Sequence, residues 1–197
     1  MNELTIGAIV TNGIQIGLRN FVPLLINAFL YVLTAWIPYI NVGTTIGLVN
    51  LVPKMVKDEG LSPTEIFNPE YRKQMGEFFL LSGLMFGMLL ASLALLVMPI
   101  VRIAFGQSFY LLLDRGLDPM AALRKSNELT YGKKWTIFLG TLALTAALFV
   151  GLAILSAIGG FIHQIIGTLF AFAGALAFFP IMLGANAYIY KALTKDM

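Results

Sequence analysis

The chain of 197 residues is 58% hydrophobic and only 12% charged, with a mean hydropathy of +0.84 and a formal net charge of +3. This composition excludes an ordinary soluble domain, because it offers too little polar surface to cover one. The absence of cysteine excludes disulfides, thiolate catalysis and cysteine-based metal sites. We therefore predict an all-α, polytopic integral membrane protein that forms a single membrane domain over residues 1–197.

The first predicted element is an amphipathic helix over residues 4–19, in which apolar residues recur every four positions. The apolar side carries Ile6, Val10, Ile14 and Leu18, and the other side carries Thr5, Asn12, Gln15 and Arg19. This pattern is typical of a helix that lies in the membrane interface. Such a helix would sense lipid composition or curvature, or would serve as an elbow that positions the next helix.

Long apolar runs follow, and several of them are long enough to cross a hydrocarbon layer of about 30 Å. They cover Phe21–Ile37, Phe78–Ile100, Trp135–Ile158 and Phe161–Tyr190. The segments Phe21–Val56 and Phe78–Leu113 give each of their helices only about 18 residues, near the lower limit for a crossing. Either the bilayer is thinned there, or one helix is re-entrant. In the last segment we expect Pro180 inside the second helix, as a kink.

A short sequence recurs between these runs, as DEGLSPTEIF at residues 58–67 and DRGLDPMAAL at residues 114–123. We predict that each copy ends one helix and begins the next. Gly60 and Gly116 suit the left-handed position that follows a helix end. Ser62 and Asp118, each followed by proline, suit the N-cap of the next helix, and Glu65 would complete a capping box with Ser62.

Amphipathic segments thus begin near residues 4, 62 and 119, which is a period of roughly 57 residues. The period predicts a threefold repeat with units 4–60, 61–116 and 117–197. Each unit would be an interfacial helix followed by a hairpin of membrane helices. The alternative is that there is no repeat, and that the recurring residues reflect only the way in which membrane helices commonly end.

Basic residues are segregated along the chain. Of the thirteen Lys and Arg residues, all except Arg102 fall at Arg19, in residues 54–73 and 115–134, or at Lys191 and Lys195. Because basic residues in short loops stay cytoplasmic, we predict that both termini and both long loops are cytoplasmic and that three short turns point outward. The predicted architecture is a multi-pass bundle of about six transmembrane helices, arranged as three hairpins in a bacterial cytoplasmic (inner) membrane.

Ionisable side chains are almost absent from the predicted membrane helices, so we expect neither an enzyme nor a metal site. His163 is the sole histidine, and no nucleophile elbow or phosphate-binding motif is present. The remaining polar side chains would line a path between helices or form hydrogen bonds from helix to helix. These candidates are Asn41, Thr44, Asn50, Arg102, Gln107, His163 and Asn186, with Arg102 and His163 near the outer face as a polar mouth.

The basic residues of the second long loop form another candidate group. Arg124, Lys125, Lys133 and Lys134 would bind anionic lipids or would simply fix the topology. Pairs of small residues, such as Gly13 with Gly17 and Gly83 with Gly87, would permit close approach to a helix of this chain or of another. The expected partners are membrane lipids and a second copy or another membrane protein, with no cofactor and no nucleic acid.

The segment DPMAALRKSNELTYGKKWTIFLGTLAL resembles a signature in the membrane domain of bacterial glycerophosphoryl diester phosphodiesterases and in related six-span inner-membrane proteins. The shared pattern is A-L-x-x-S-x-x-L-x-x-G-x-x-W, matched here by Ala122, Leu123, Ser126, Leu129, Gly132 and Trp135. The corner GLSPTEIF is similar to their middle loop. The resemblance implies a six-span fold, but not the phosphodiesterase activity, because the acidic metal ligands of the soluble domain have no counterpart in these residues.

These features favour a non-enzymatic membrane protein that acts as an accessory or scaffold in envelope or lipid homeostasis. The alternative is a small channel or transporter, as a single chain or an oligomer, whose path runs past Asn41, Thr44, Gln107 and Asn186 with Arg102 near the mouth. An intramembrane enzyme that uses His163 is a third hypothesis.

Overall fold

The computed structural model describes residues 4–57, 60–94, 98–195 and 197, and within them the regular structure is helical, which confirms the all-α prediction. Two short 3-10 helices, Glu65–Phe67 and Pro69–Gln74, precede the fourth α-helix. The α-helices, in chain order, are α1 Ile6–Arg19, α2 Phe21–Thr34, α3 Ile40–Val56, α4 Met75–Ala94, α5 Met98–Phe105, α6 Ser108–Arg115, α7 Pro119–Thr130, α8 Lys134–Ile162 and α9 Gln164–Leu193.

Three helical segments are long and apolar enough to cross a membrane: Pro69–Leu93, α8 and α9. Helices α1 and α2 meet at an angle of 75° and provide a fourth only if this bent pair is one span. Six helices of spanning length are not found in the described residues. The physical reason is that the other segments are short or broken: α2 and α3 have 14 and 17 residues, Asn20 separates α2 from α1, and Gly106 with Gln107 separates the 8-residue helices α5 and α6.

Helices α8 and α9 form an antiparallel hairpin of 29 and 30 residues, and Pro180 lies inside α9 as predicted. Between Leu144 and Pro180 the buried residues are Gly159 and Gly167, which pack against each other. Side chains elsewhere in this stretch are half-buried or exposed, although most are apolar. This part of the hairpin, about 24 Å long at 1.5 Å per residue, therefore packs chiefly against itself.

Helix α1 packs closely against α9. A methyl group added at Gly13 would lie 2.8 Å from the Ala185 Cβ, and one added at Gly17 would lie 2.5 Å from the Pro180 carbonyl oxygen and 2.6 Å from the Ile181 Cα. Such distances are shorter than ordinary carbon contacts, so glycine is required for this approach of the two helices. The small residues of α1 are thus used within the chain.

The buried face of α1 differs from the apolar side that the sequence indicated. Ile9, Gly13 and Gly17 are buried, whereas Ile6 and Leu18 are exposed and Val10 and Ile14 are half-buried. Periodicity missed this face because glycine contributes little hydropathy, although it permits the closest packing. The apolar side predicted from the sequence therefore lies beside the contact with α9, and its residues Ile6 and Leu18 are not covered by the chain.

The C-terminal ends of α3, α6 and α9 meet where Lys57 and Tyr190 both contact the Asp114 side chain. We call this region the polar end. Because α3 and α9 finish there, the turns that precede them, at Trp36 and at His163, lie at the far ends of these helices. Trp36 is 87% exposed and Phe161, beside the second turn, is 92% exposed. Charged and apolar surfaces are thus separated along the helices.

The apolar core is largest beside the polar end, where helices from all three predicted units pack together. Its buried members include Leu24 of α2, Leu51 of α3, Leu81 of α4, Leu111 of α6, Leu123 of α7 and Ala187 of α9. In each unit a helical element precedes the segment that was predicted as a membrane hairpin, namely α1, the two 3-10 helices and α7. This order agrees with the threefold repeat, which stays a prediction.

The second corner has the predicted geometry. Gly116 follows α6 in the left-handed conformation with φ 63°, and the Asp118 carboxylate accepts hydrogen bonds from the backbone N–H groups of Met120 and Ala121. Pro119 is the first residue of α7. The sequence rules for helix ends and starts therefore hold here.

The first corner is different, and its predicted capping box is wrong. Asp58 and Glu59 lie outside the described residues, and 3-10 helices replace the expected α-helix after Gly60. Ser62 forms a local turn, in which its hydroxyl accepts from the Thr64 N–H at 3.3 Å. Long-range contacts override the local signal here. Asn27 of α2 donates to the Ser62 carbonyl at 2.8 Å and accepts from the Ile66 N–H at 3.0 Å.

Candidate functional site

The polar end contains a buried carboxylate, Asp114, whose side chain is only 6% exposed. Tyr190 donates to its Oδ2 at 2.8 Å, and Arg115 Nε lies 3.1 Å from the same oxygen. Lys57 Nζ lies 2.7 Å from Oδ1, as a close charge contact that is not aligned as a hydrogen bond. Two cations and a phenol thus compensate for the burial of one negative charge, as a buried carboxylate requires.

A second carboxylate, Glu65, lies near α3 and is 11% exposed. It accepts from the Tyr71 hydroxyl in a very short hydrogen bond and from Asn68 Nδ2 at 3.3 Å, and Lys54 Nζ lies 3.6 Å away. The amide of Asn50 also interacts with the Tyr71 hydroxyl. This cluster attaches the two 3-10 helices to α3.

The sequence analysis did not predict either cluster. Glu65 and Asp114 both belong to the recurring corner sequence, which was interpreted only as the end of one helix and the start of the next. Partners of Asp114 are distant in sequence; Tyr190 is 76 residues away. A useful signal was that acidic and basic residues share the same two connecting segments, 54–77 and 114–134.

The predicted path residues Asn41 and Thr44 lie on α3 and form local hydrogen bonds. Asn41 donates to the Ala35 carbonyl at 3.4 Å across the turn. Thr44 is buried and donates to the Ile40 carbonyl at 3.1 Å, with Thr34 Oγ1 at 3.3 Å. These contacts link the two helices of one hairpin, which is the interhelical alternative left open by the sequence.

Gln107 lies at the break between α5 and α6, where helix α7 supplies hydrogen bonds to the interrupted backbone. Ser126 donates to the Ala104 carbonyl at 2.7 Å and accepts from the Gln107 N–H at 3.2 Å. Thr130 lies 3.4 Å from the same carbonyl. The side-chain oxygen Oε1 of Gln107 is buried and has no hydrogen-bond partner within the described part of the chain.

Arg102, His163 and Asn186 lie on different elements. Arg102 is exposed on α5, and His163 is exposed between α8 and α9, where its Nδ1 accepts from the Ile165 N–H at 3.2 Å and caps α9. Asn186 is half-buried and donates to the Met182 carbonyl of its own helix at 3.0 Å. Among the described residues, no three His, Asp or Glu side chains come together as a metal site would require. The polar mouth and the path stay predictions.

The four basic residues predicted to contact anionic lipids lie on α7, on the turn that follows it and at the first residue of α8. Arg124 and Lys133 are exposed. Lys125 Nζ lies 3.0 Å from Glu128 Oε1, and Lys134 donates to Asn127 Oδ1 at 2.8 Å. An open surface groove along α7 includes Arg124 and Lys125 but also Asp118 and Glu128, so its charge is mixed. The lipid contacts stay a prediction.

The resemblance motif has a structural explanation in these contacts. Ala122 and Leu123 are buried in the core, and Ser126 is fully buried against the α5–α6 break. Gly132 has φ 73°, a left-handed value that suits glycine, in the turn from α7 to α8. Trp135 is exposed at the start of α8. The motif therefore positions α7 against the core and the α5–α6 break.

Comparisons with known proteins give no match: no protein-family model, curated protein or solved structure matches the chain significantly. The likeness of α7 and its flanking residues to the membrane domain of glycerophosphoryl diester phosphodiesterases thus stays a resemblance.

Proposed function

We propose that the protein is a non-enzymatic accessory or scaffold embedded in a bacterial cytoplasmic membrane, where it acts in envelope or lipid homeostasis. The observation that carries this proposal is the large apolar surface on α2, α4, α8 and α9. Exposed residues include Phe29, Phe79, Phe86, Phe149, Phe161 and Phe172. Surfaces of this kind need lipid or another apolar helix to cover them.

The proposed orientation puts the polar end, both termini and both long loops on the cytoplasmic side. Helices α4, α8 and α9 cross the membrane, and α5 with α6 returns as a broken helix. Helices α2 and α3, with 14 and 17 residues, reach only about 21 and 25 Å at 1.5 Å per residue. They would complete the predicted six crossings only where the bilayer is thinner than its usual hydrocarbon depth of about 30 Å.

A scaffold should present open contact surfaces, and two glycine positions provide a test. Gly87 on α4 and Gly151 on α8 have no atom within 4 Å of an added Cβ. Gly87→Leu and Gly151→Leu should therefore leave the fold intact but obstruct a partner helix on that face.

The experiment is affinity purification of the tagged protein in mild detergent after crosslinking in cells. A membrane protein partner, or a second copy, that is recovered with the wild type and reduced in one leucine variant supports the scaffold. The proposal is contradicted if the wild type and both variants are recovered as monomers with no bound protein or lipid.

Transport is the second candidate, because discontinuous helices are common at substrate sites of transporters. The α5–α6 break is such a feature, and Gln107 Oε1 at its centre has no hydrogen-bond partner among the residues that the structure describes. Purified protein in liposomes should then pass ions or small solutes, and Gln107→Leu, Arg102→Leu or Asn186→Leu should reduce the flux. Absence of flux, with altered stability as the sole effect of these substitutions, rejects the transport function.

A further inference from the structure

Helix α1 runs alongside α9 in the opposite direction. Gly13 of α1 packs against Ala185 of α9. One turn later, Gly17 packs against Ile181, which lies one turn earlier in α9. Helix α2 begins at Phe21, one turn after Gly17, and is bent from α1 by 75°. This bend turns the chain away from the line of α1 and α9.

Helix α2 leaves at the boundary between the covered and the bare parts of α9. Gly17 also contacts Pro180, and between Pro180 and Leu144 the α8–α9 hairpin packs chiefly against itself. From Pro180 to Leu193, in contrast, every residue of α9 except Lys191 is buried or half-buried against α1 and the core. Because the bare apolar part of the hairpin needs lipid around it, we expect this boundary at the surface of the hydrocarbon layer.

Helix α2 has one covered face and one bare face. Leu24 and Asn27 are buried on the covered face. Asn27 there forms hydrogen bonds with the backbone of Ser62 and Ile66, at 2.8 and 3.0 Å. The opposite face carries exposed apolar side chains at helical spacing, the last of them in the turn that follows the helix. They are Val22, Ile26, Phe29, Leu33 and Trp36.

Residues 61–74 place ionisable side chains beside α3 along most of its length. Near the end of α3, Lys54 Nζ lies 3.6 Å from Glu65 Oε1. Near its start, a Cβ added at Gly43 would lie 3.8 Å from Arg72 Nε. Lys54 and Gly43 are about 16 Å apart along the helix at 1.5 Å per residue. The charged segment therefore follows α3 over a distance that is about half of a hydrocarbon layer of about 30 Å.

The charges on this segment require water. Glu70 and Lys73 form an ion pair in which their side chains are 68% and 72% exposed. If α3 crossed the bilayer, the segment beside it would bring such charges to membrane depth, where ionisable side chains are rare and costly. If α3 instead lies along the membrane surface, the segment stays at headgroup level over its whole length.

We propose that α2, α3 and residues 61–74 form a layer in the plane of the membrane, and that the bare face of α2 inserts among the acyl chains of the cytoplasmic leaflet. The turn at Trp36 then does not reach the outer surface. An apolar helix face inserted into one leaflet is the arrangement by which interfacial helices respond to lipid packing and curvature. This inference rests on the proposed membrane location and removes two of the six predicted crossings.

The test is fluorescence quenching in liposomes of phosphatidylcholine that carries bromine either near the headgroup or near the end of the acyl chain. The chain has two tryptophans, and Trp135→Phe leaves Trp36 alone. Other single tryptophans are made in the background that lacks both, as Val22→Trp, Phe29→Trp or Ile154→Trp. The three original side chains are 62%, 63% and 54% exposed, so these substitutions should leave the fold intact.

An in-plane helix keeps one depth along its length. We therefore expect Trp36, Val22→Trp and Phe29→Trp all to be quenched more strongly by the shallow bromine. Ile154→Trp, which lies in the bare hairpin, is the matched control and should be quenched more strongly by the deep bromine. Deep quenching of Phe29→Trp, with shallow quenching at both ends of α2, is the pattern of a crossing helix and would overturn the proposal. Absence of quenching at all three α2 positions would also overturn it, because another protein would then cover this face.

Labelling of the α2–α3 turn identifies the leaflet. Tyr39 in this turn is 93% exposed, and the chain has no natural cysteine. We expect Tyr39→Cys to be protected from a membrane-impermeant maleimide in intact bacteria whose outer membrane is permeable, and to react in detergent. Reaction in intact bacteria as strong as that of His163→Cys would overturn the proposal.

Failure of this inference is distinguishable from failure of the proposed function. Escape of Ile154→Trp from both bromine positions would reject the membrane location on which both proposals rest. The crossing pattern at α2, or labelling of Tyr39→Cys from outside, would reject the in-plane layer alone. Neither of these two results affects recovery of a protein partner.

Discussion

Replacing Gly17 by alanine tests the contact between α1 and α9, which the sequence did not predict. The new methyl group would lie 2.5 Å from the Pro180 carbonyl oxygen and 2.6 Å from the Ile181 Cα, and both are backbone atoms that cannot rotate away. Ordinary carbon contacts are about 3.5–4.0 Å, so the helices would have to separate by roughly 1 Å. Overpacking of this kind costs about 1–3 kcal/mol of unfolding free energy.

Gly7→Ala is the matched control, because Gly7 lies on the same helix and has no atom within 4 Å of an added Cβ. The same chemical change there removes backbone entropy from the unfolded chain and should stabilise by up to about 0.5–1 kcal/mol. We expect Gly17→Ala to be less stable than the wild type, and less stable than Gly7→Ala by about 2 kcal/mol. The assay is equilibrium unfolding in detergent micelles by titration with sodium dodecyl sulfate, followed by tryptophan fluorescence.

Equal stability of the two variants, or stabilisation by Gly17→Ala, would refute the close packing of α1 on α9. Helix α1 would then return to the free interfacial position that its periodicity predicts.

Three further substitutions probe the polar end and α7 by the same unfolding assay. Asp118→Ala removes the N-cap of α7 and should cost about 1 kcal/mol. Ser126→Ala leaves the Gln107 N–H at the helix break without its hydrogen bond and leaves the Ala104 carbonyl with only the longer contact to Thr130, and should cost about 1–3 kcal/mol. Asp114→Asn leaves two half-exposed cations without their counter-charge and should cost about 1–2 kcal/mol, less than a fully buried pair because water still reaches both cations.

Glu128→Gln is the control for these charge effects, since the Glu128 side chain is 68% exposed in its pair with Lys125. It should change stability by no more than about 0.5 kcal/mol. If Asp114→Asn were as mild as this control, the buried cluster would not hold the ends of α3, α6 and α9 together. A neutral Ser126→Ala would mean that α7 does not support the break between α5 and α6.

Local sequence signals predicted those features whose causes are local. Gly116, Asp118 and Pro119 form the second corner as expected, because cap geometry depends on neighbours along the chain. The first corner has a similar sequence, but Asn27 of α2 forms hydrogen bonds with the backbone of Ser62 and Ile66 and imposes a different conformation. A tertiary hydrogen bond of this kind cannot be predicted from the residues of the corner alone.

The candidate site was harder to predict than the fold. Polarity identified Asn41, Thr44 and Gln107 as candidates, but it did not reveal that Asn41 and Thr44 form hydrogen bonds within one hairpin. The contact of Tyr190 with Asp114 could not be predicted, because it joins residues 76 positions apart. Such contacts depend on tertiary packing, which a local sequence pattern does not specify.

The central claim is that the basic connectors share one side of the membrane, opposite the turn between α8 and α9. The natural sequence has no cysteine, so single substitutions can be labelled without background. We expect Gly60→Cys and Lys133→Cys to be protected from a membrane-impermeant maleimide in intact bacteria whose outer membrane is permeable to the reagent, and His163→Cys to react. Labelling of Gly60→Cys and Lys133→Cys from opposite sides of the inner membrane would contradict the architecture.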